Sequence, residues 1–324
     1  MSPYAAAHVN PQGPGDARPT ALQIIKDEGV EGKLVGKVIV ITGTSSGLGV
    51  ETVRALSTTG ATLFLTARNL NKAKTALEGI FEPGRMHLIE MDQGSLDSVR
   101  AAAAQILSKT DKVNILINNA GIMAVQKLEY TKDGYELQFG TNHLSHFLFF
   151  MLLKRALLAA ATPDFSSRVV NVSSTSHVMG GINASDNYNF EKGSYDPWVS
   201  YAQSKTANIY MANEINRRYQ TKSLYATSLH PGGIMTSIGQ NIPEAEMEKM
   251  GEDPDFFNQI KSPAQGAATT VWAAVGKEWA HKGGGAKESK GENPMTASGY
   301  AKHAYDAEEE ARLWKDSLKL VGLA

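Results

Sequence analysis

The chain has 324 residues with 32 basic and 33 acidic side chains, a net charge of −1. That length suits one large α/β domain, and that balance gives nucleic acid or an anionic membrane no electrostatic hold. The absence of cysteine excludes disulfides, thiolate catalysis and cysteine-ligated metals.

Residues 1–20 are rich in Pro, Gly and Ala and show no apolar run behind a basic start. They read as a disordered tail with no signal peptide, ahead of a single domain over 21–324, and the expected location is cytoplasmic. Strand-like and helix-like segments then alternate. Apolar run 37–41 ends at a Gly-rich turn, and a helical stretch follows over 47–57. Run 61–67 leads to helical 70–77. Run 86–91 leads to an Ala-rich helix over 95–108 with Ser95 as N-cap. Further strand-like runs are 113–117, 168–172 and, more weakly, 224–229. Segment 144–161 is the most apolar. Ser145, His146, Lys154 and Arg155 interrupt it, so it lacks the ~20 uninterrupted apolar residues of a membrane span and reads as a buried or interface helix.

Apolar strands separated by helices imply parallel pairing through crossovers. The expected fold is therefore α/β, a single doubly wound parallel sheet with helices on both faces. Stretch 281–294, rich in Gly, Lys and Glu, reads as a flexible loop. The last strand expected near 283–287 lacks an apolar face.

The first strand runs into Thr42-Gly43-Thr44-Ser45-Ser46-Gly47-Leu48-Gly49. Gly43 permits a tight turn, Gly47 lets the backbone approach a pyrophosphate, and Gly49 lets helix and strand pack closely. A phosphate would then sit on the free N–H groups at the helix start. Glycines also simply end strands; the strand-turn-helix context favours the nucleotide. Arg68, after the second strand, suits the 2′-phosphate of NADP, and no acid stands at 66–69 to bind a free 2′-hydroxyl. Its bland alternative is a solvated surface arginine.

Tyr201 and Lys205 lie at i and i+4, on one helix face. A phenol of free pKa ~10 is a poor base at neutral pH, and a nearby ammonium should lower that value. Tyr188 and Lys192 share the spacing, but Gly193 follows them and no periodic helix does. Tyr201 instead lies near the start of a helix with Asp196 as N-cap and Pro197 as first residue. Tyr188 therefore reads as loop packing.

The Gly-rich turn (Gly-x-x-x-Gly-x-Gly), Asn118-Asn119-Ala120-Gly121 after the fourth strand and Tyr201 to Lys205 resemble the short-chain dehydrogenase/reductase family. The resemblance covers nearly the whole chain from about Leu34. Finer stretches, Asn142 to Phe147, Tyr195 to Trp198 and His230 to Gly233, look like its retinol-dehydrogenase-like branch and the soluble fungal relatives. The resemblance implies an NADP(H)-dependent oxidoreductase passing a hydride between nicotinamide and a carbonyl/alcohol pair, on a bulky organic substrate such as a secondary metabolite. It implies a catalytic set of Asn142, Ser174, Tyr201 and Lys205. Ser174 would bond the substrate oxygen, and Asn142 would hold a water linking Lys205 to solvent. It further implies cofactor contacts from Ser45, Ser46 and Leu48 as well as the three glycines, from Asp92 at the adenine, from Asn119, Ala120 and Gly121, from Tyr201 and Lys205, and from Pro231, Gly232 and Thr236 over the nicotinamide. Such proteins often pair through the helix after Asn142 and the helix bearing Tyr201, so a homodimer is the expected assembly.

Two rivals stand beside this reading. A sugar-nucleotide epimerase or dehydratase also uses Tyr-x-x-x-Lys, though usually with Gly-x-x-Gly-x-x-Gly. A non-catalytic cofactor-sensing or scaffold protein would be supported by a missing Tyr or Lys, and both are present. His143, His146, His177 and His230 lack metal-site spacing, and no metal is expected. The insertion 177–199, with Tyr188, Phe190, Tyr195 and Trp198, leaves beside Ser174 and returns at Tyr201. It should border the substrate.

Overall fold

The computed structural model describes residues 3–284 and 300–324, apart from the side chain of Pro254. Six parallel strands form one sheet: β1 (Val38–Thr42), β2 (Thr62–Ala67), β3 (Met86–Glu90), β4 (Ile115–Asn118), β5 (Ser167–Val172) and β6 (Leu224–Leu229). Their order is β3-β2-β1-β4-β5-β6, a Rossmann-type doubly wound arrangement. The chain reverses direction across the sheet between β1 and β4, and in such sheets ligands bind outside the strand ends at this point.

Successive side chains of a strand point to opposite faces, and each face is buried here. Ile39, Ile41, Leu63, Leu65, Ile115 and Ile117 join one core cluster. Their neighbours Val40, Phe64 and Leu116 join the other. The first face is covered by α1 (Ala21–Glu28) and α2 (Gly47–Ser57). Short helix α3 (Leu70–Ala76) joins β2 to β3. The second face is covered by α4 (Leu96–Leu107), α5 (Leu137–Ala160) and α6 (Pro197–Tyr219). Helix starts follow their capping residues. The Ser95 side chain accepts from the Ser98 amide, and the Asp196 side chain accepts from the Trp198 and Val199 amides with Pro197 at the first position.

After β6 the chain forms a two-residue strand β7 (Gly233–Ile234), helices α7 (Glu244–Gly251) and α8 (Pro254–Gln259), and β8 (Ile260–Lys261), which pairs in parallel with β7. Helix α9 (Pro263–Val275) returns to the first face, and α10 (Ala307–Leu320) closes the second. There Trp314 stands edge-on to Phe147 and Phe150 at centroid distances of 4.9 and 6.2 Å.

Helix α5 is apolar enough by composition to cross a membrane, but 67% of its apolar window is buried inside the fold; it is a core helix. Leu144, Phe147, Leu148 and Phe150 are fully covered within the chain, and Met151 and Leu152 partly so.

One expectation is corrected. The segment ahead of residue 21 is not a free tail over its described part. Arg18 is buried and donates to the carbonyls of Gly13, Asn258, Gln259 and Ile260, with Asp16 as its ion-pair partner at 2.8 Å. The Pro and Gly residues supply turns, and one satisfied guanidinium anchors the segment. At the other sheet edge, Gly284 donates to Ala226 at 3.0 Å and bridges Thr227 in parallel. The rest of the edge strand expected over 283–287, and most of the loop expected over 281–294, lie outside the described residues.

Candidate active site

The site lies at the carboxyl ends of β1, β4, β5 and β6. Gly43 has φ +73, and a Cβ there would meet Ala120 Cα at 2.8 Å; a Cβ on Gly49 would lie 2.0 Å from the Gly43 carbonyl oxygen. Only glycine fits at either position, as the sequence pattern requires. Ser46 caps α2 without any side-chain bond to its amides, and its hydroxyl instead lies 3.1 Å from that of Ser237. The first-turn N–H groups of α2 are thus left for a ligand. Ser45 and Leu48 complete this turn. Thr236 faces Gly47 across the groove, its side chain 3.4 Å from where a Cβ would stand.

Asn119, Ala120 and Gly121 continue from β4 beside the Gly-rich turn. Thr42 ties the two together, its hydroxyl accepting from the Asn119 and Ala120 amides at 2.9 and 3.0 Å. That hydroxyl also meets His146 Nε2 at 2.9 Å, while His146 Nδ1 meets the Asn142 carbonyl at 2.9 Å. A carbonyl only accepts, so Nδ1 carries the proton and Thr42 donates to Nε2. Burial holds this imidazole neutral, its pKa lowered to about 4.

Asn142 sits in a π turn (Gly140–Leu144) within α5, a widened geometry frequent at functional positions. Its side chain accepts from the Ile122 amide and donates to the Ile122 carbonyl and the Ser204 hydroxyl, each at 2.9 Å. A Cβ on Gly121 would lie 3.1 Å from Asn142 Oδ1 and 3.4 Å from Lys205 Nζ, which places these three residues together.

Tyr201 and Lys205 are 4% and 2% exposed on the first turns of α6. Lys205 Nζ donates to the Val172 carbonyl at 3.1 Å and lies 5.4 Å from the Tyr201 ring centre. Of the two serines ending β5, Ser173 spends its hydroxyl on the Lys205 carbonyl at 2.8 Å. Ser174 is the one beside the Tyr201 phenol. The expected lowering of the phenol pKa by Lys205 is not found. Burial penalises both charged forms: Tyr201 is pushed up to about 12, against the opposing effect of Ser174, and Lys205 down to about 8. The phenol is a proton donor across the neutral range.

Arg68 is exposed at the end of β2 and has no ion pair or side-chain hydrogen bond among the described residues. Asp92 follows β3, accepting from the Gly94 amide at 3.0 Å and meeting the Lys132 ammonium at 3.1 Å. Pro231 and Gly232 lie between β6 and β7. Among the described residues no group of three or more His, Asp or Glu side chains is placed to hold a metal ion.

Tyr188 is buried packing. Its ring stacks on Phe139 at 4.9 Å, and its hydroxyl donates to Asp316 and accepts from Arg312. Phe190 packs edge-on to Tyr195, whose hydroxyl donates to the Val125 carbonyl at 2.8 Å. Of the aromatic residues in the insertion, Trp198 is the one whose ring meets Tyr201.

Sequence reasoning overlooked the braces of the site. Thr42 and His146 are two. His177 is a third: its Nδ1 lies 2.6 Å from the Ser174 carbonyl, and its Nε2 accepts from the Ala301 amide at 3.1 Å. Thr42 and His146 lie inside stretches that carry the resemblance, but nothing in their residue types announces a bracing role, and His177 lies in the insertion.

A glycine cradle against an uncapped helix start, with a buried Tyr-Lys pair beside a strand-end serine, defines a dinucleotide-dependent oxidoreductase site. The chain belongs to the short chain dehydrogenase family, whose profile matches residues 37–247. It is 47% identical to the short-chain dehydrogenase/reductase prx1 of Penicillium roqueforti, over 99% of this chain and 95% of that one. It is 41% identical to the oxidoreductase calI of Penicillium decumbens (99% and 97% covered) and 35% identical to human retinol dehydrogenase 13 (89% and 85% covered). These place it with the retinol-dehydrogenase-like branch and its fungal relatives. Among solved structures, an uncharacterized protein from Mycobacterium Paratuberculosis superposes with a TM-score of 0.68 at 30% identity, covering 91% of this chain and 97% of that one.

Proposed function

We propose that the protein is an NADP(H)-dependent carbonyl reductase or alcohol dehydrogenase acting on a bulky, partly polar organic carbonyl or alcohol, with a fungal secondary metabolite as the natural class. The carrying observation is the buried Tyr201 phenol, beside Ser174 and one helical turn before Lys205, whose ammonium lies next to Gly121. The cofactor would supply or accept the hydride. Gly43, Ser45, Ser46, Gly47, Leu48 and Gly49 would hold its phosphates, Asn119 to Gly121 and Lys205 its ribose, and Pro231, Gly232 and Thr236 its nicotinamide end. In reduction, the Ser174 hydroxyl bonds the substrate oxygen and Tyr201 gives that oxygen a proton. The phenolate left behind is stabilised by the Lys205 ammonium, and oxidation runs the same proton in reverse. Asn142 fixes the wall on which Lys205 rests.

Arg68 supports NADP over NAD. It is an exposed guanidinium at the end of β2 with no acidic partner among the described residues. The test is a panel of aldehydes and ketones scored by NADPH consumption, with Tyr201→Phe as control. Turnover of at least one bulky carbonyl that vanishes in the control supports the reading. NADPH binding with no turnover across the panel favours a cofactor-sensing protein.

A further inference from the structure

We propose that Lys261 is a positioning residue for the cofactor-bordering loop, holding Pro231 and Gly232 from beneath, and that the N-terminal segment keeps it there through Arg18. The proposal rests on the reading that this loop borders the nicotinamide.

The contact is close. Lys261 is 9% exposed, and its Nζ donates to the Pro231 carbonyl at 3.0 Å. A Cβ on Gly232, which has φ +109, would lie 2.9 Å from both Lys261 Cδ and Cε. The positive φ is what calls for glycine at 232, and the lysine stem packs directly against it. No carboxylate pairs with Lys261 among the described residues, and burial lowers its pKa to about 8. Asp16 favours the charged form from a distance and Arg18 opposes it, so the burial cost is not met by a direct ion pair, and an apolar side chain of that length would avoid the cost. What the ammonium adds is a bond to the main chain of this loop.

The support extends outward. Lys261 is the second residue of β8, which pairs with β7 directly after the loop. The carbonyls of the three residues before it, Asn258, Gln259 and Ile260, all accept from the single Arg18 guanidinium. That planar fork suits several fixed acceptors at once. Gln265 locks the same node, donating to the Asp16 side chain and to the Arg18 carbonyl. On its other side the loop is tied to the catalytic turn, since the Thr175 amide, next to Ser174, donates to His230 Nδ1 at 3.2 Å. The loop is thus suspended between the reaction centre and the N-terminal segment.

The test uses the full chain with NADPH as the probe. Dissociation constants come from fluorescence titration, amide exchange is followed from Gly232 to Thr236, and thermal midpoints serve as the fold control. In the unmodified protein NADPH should protect these amides. Lys261→Met should weaken NADPH binding about tenfold or more, the scale of one hydrogen bond to a charged group. It should also speed exchange locally at 232–236, and Lys261→Arg should recover most of both. Arg18→Lys, which keeps charge and loses the fork, should move both readouts the same way but less. Unchanged affinity in Lys261→Met, with the unmodified loop protected, overturns the positioning role and leaves the site reading intact. Affinity loss matched by faster exchange throughout the fold, with no recovery in Lys261→Arg, also overturns it, because Lys261 would then be only structural. Unchanged readouts in Arg18→Lys remove the N-terminal segment from the proposal. If NADPH leaves the unmodified loop unprotected, the site reading fails and this proposal falls with it.

Discussion

Trp198 donates its indole N–H to the Glu246 carboxylate at 2.8 Å, joining the helix that bears Tyr201 to α7 of the segment over the groove. The same indole stands edge-on to Tyr201 with centroids 6.2 Å apart. A change at Trp198 is therefore placed to be felt at Tyr201. Trp198→Phe keeps a ring and loses the N–H, so the Michaelis constant for carbonyl substrates and their ranking should shift by about fivefold, roughly 1 kcal/mol. NADPH affinity should stay as it is. Tyr188→Phe loses hydroxyl bonds to Asp316 and Arg312 and should lower the thermal midpoint without changing the ranking. Steady-state kinetics on a substrate panel decide both; a ranking moved by Tyr188→Phe and not by Trp198→Phe would reverse the assignment.

Tyr201→Phe removes the proton donor and keeps the ring. Turnover should drop by at least ~10²-fold, the scale of general acid catalysis, with NADPH affinity nearly unchanged. Residual activity near that of the unmodified protein would assign the proton to another group.

The pH profile should report Lys205 before Tyr201. Burial places the ammonium at about 8 and the phenol at about 12. Below pH 8 both hold their protons, so the acid and the charge that stabilises its phenolate are present together. As pH rises through about 8 the ammonium is lost first, and reductive turnover should fall while the phenol is still protonated. Lys205→Met should be slow at all pH values, bind NADPH more weakly and lack that alkaline limb. An unaltered limb in the variant would contradict the assignment.

Arg68→Asp should weaken NADPH binding by at least about tenfold, since it removes a charge-assisted contact and adds repulsion of the 2′-phosphate. NADH binding should hold or improve. Equal affinity of the unmodified protein for the two cofactors would refute the role of Arg68 by titration alone.

The sheet was legible because its strands are apolar runs that Gly-rich turns and capped helices punctuate. Ser95, Asp196 and Pro197 take the cap positions their chemistry favours, and Gly43 and Gly49 fill contacts that a Cβ would break. The docking of the N-terminal segment was hidden because Arg18 finds its acceptors some 240 residues away on bare carbonyls. Two-residue strands such as β7 and β8 leave no periodicity to read. The direction of the Tyr201 pKa also escaped, because i+4 spacing fixes which residues share a face and says nothing about how dry that face becomes.

Helix α10 has a consequence for how the protein responds to dilution. It lays Trp314 on Phe147 and Phe150 of α5, and its Ser317 hydroxyl meets His143 at 2.9 Å. Phe147 and Phe150 lie on one of the helices through which the family resemblance implies pairing with a second copy. Here their cover is joined to them covalently, so its effective concentration is set by chain length and geometry. The stability of this face need not follow mass action in protein concentration, as it would were a separate subunit the cover.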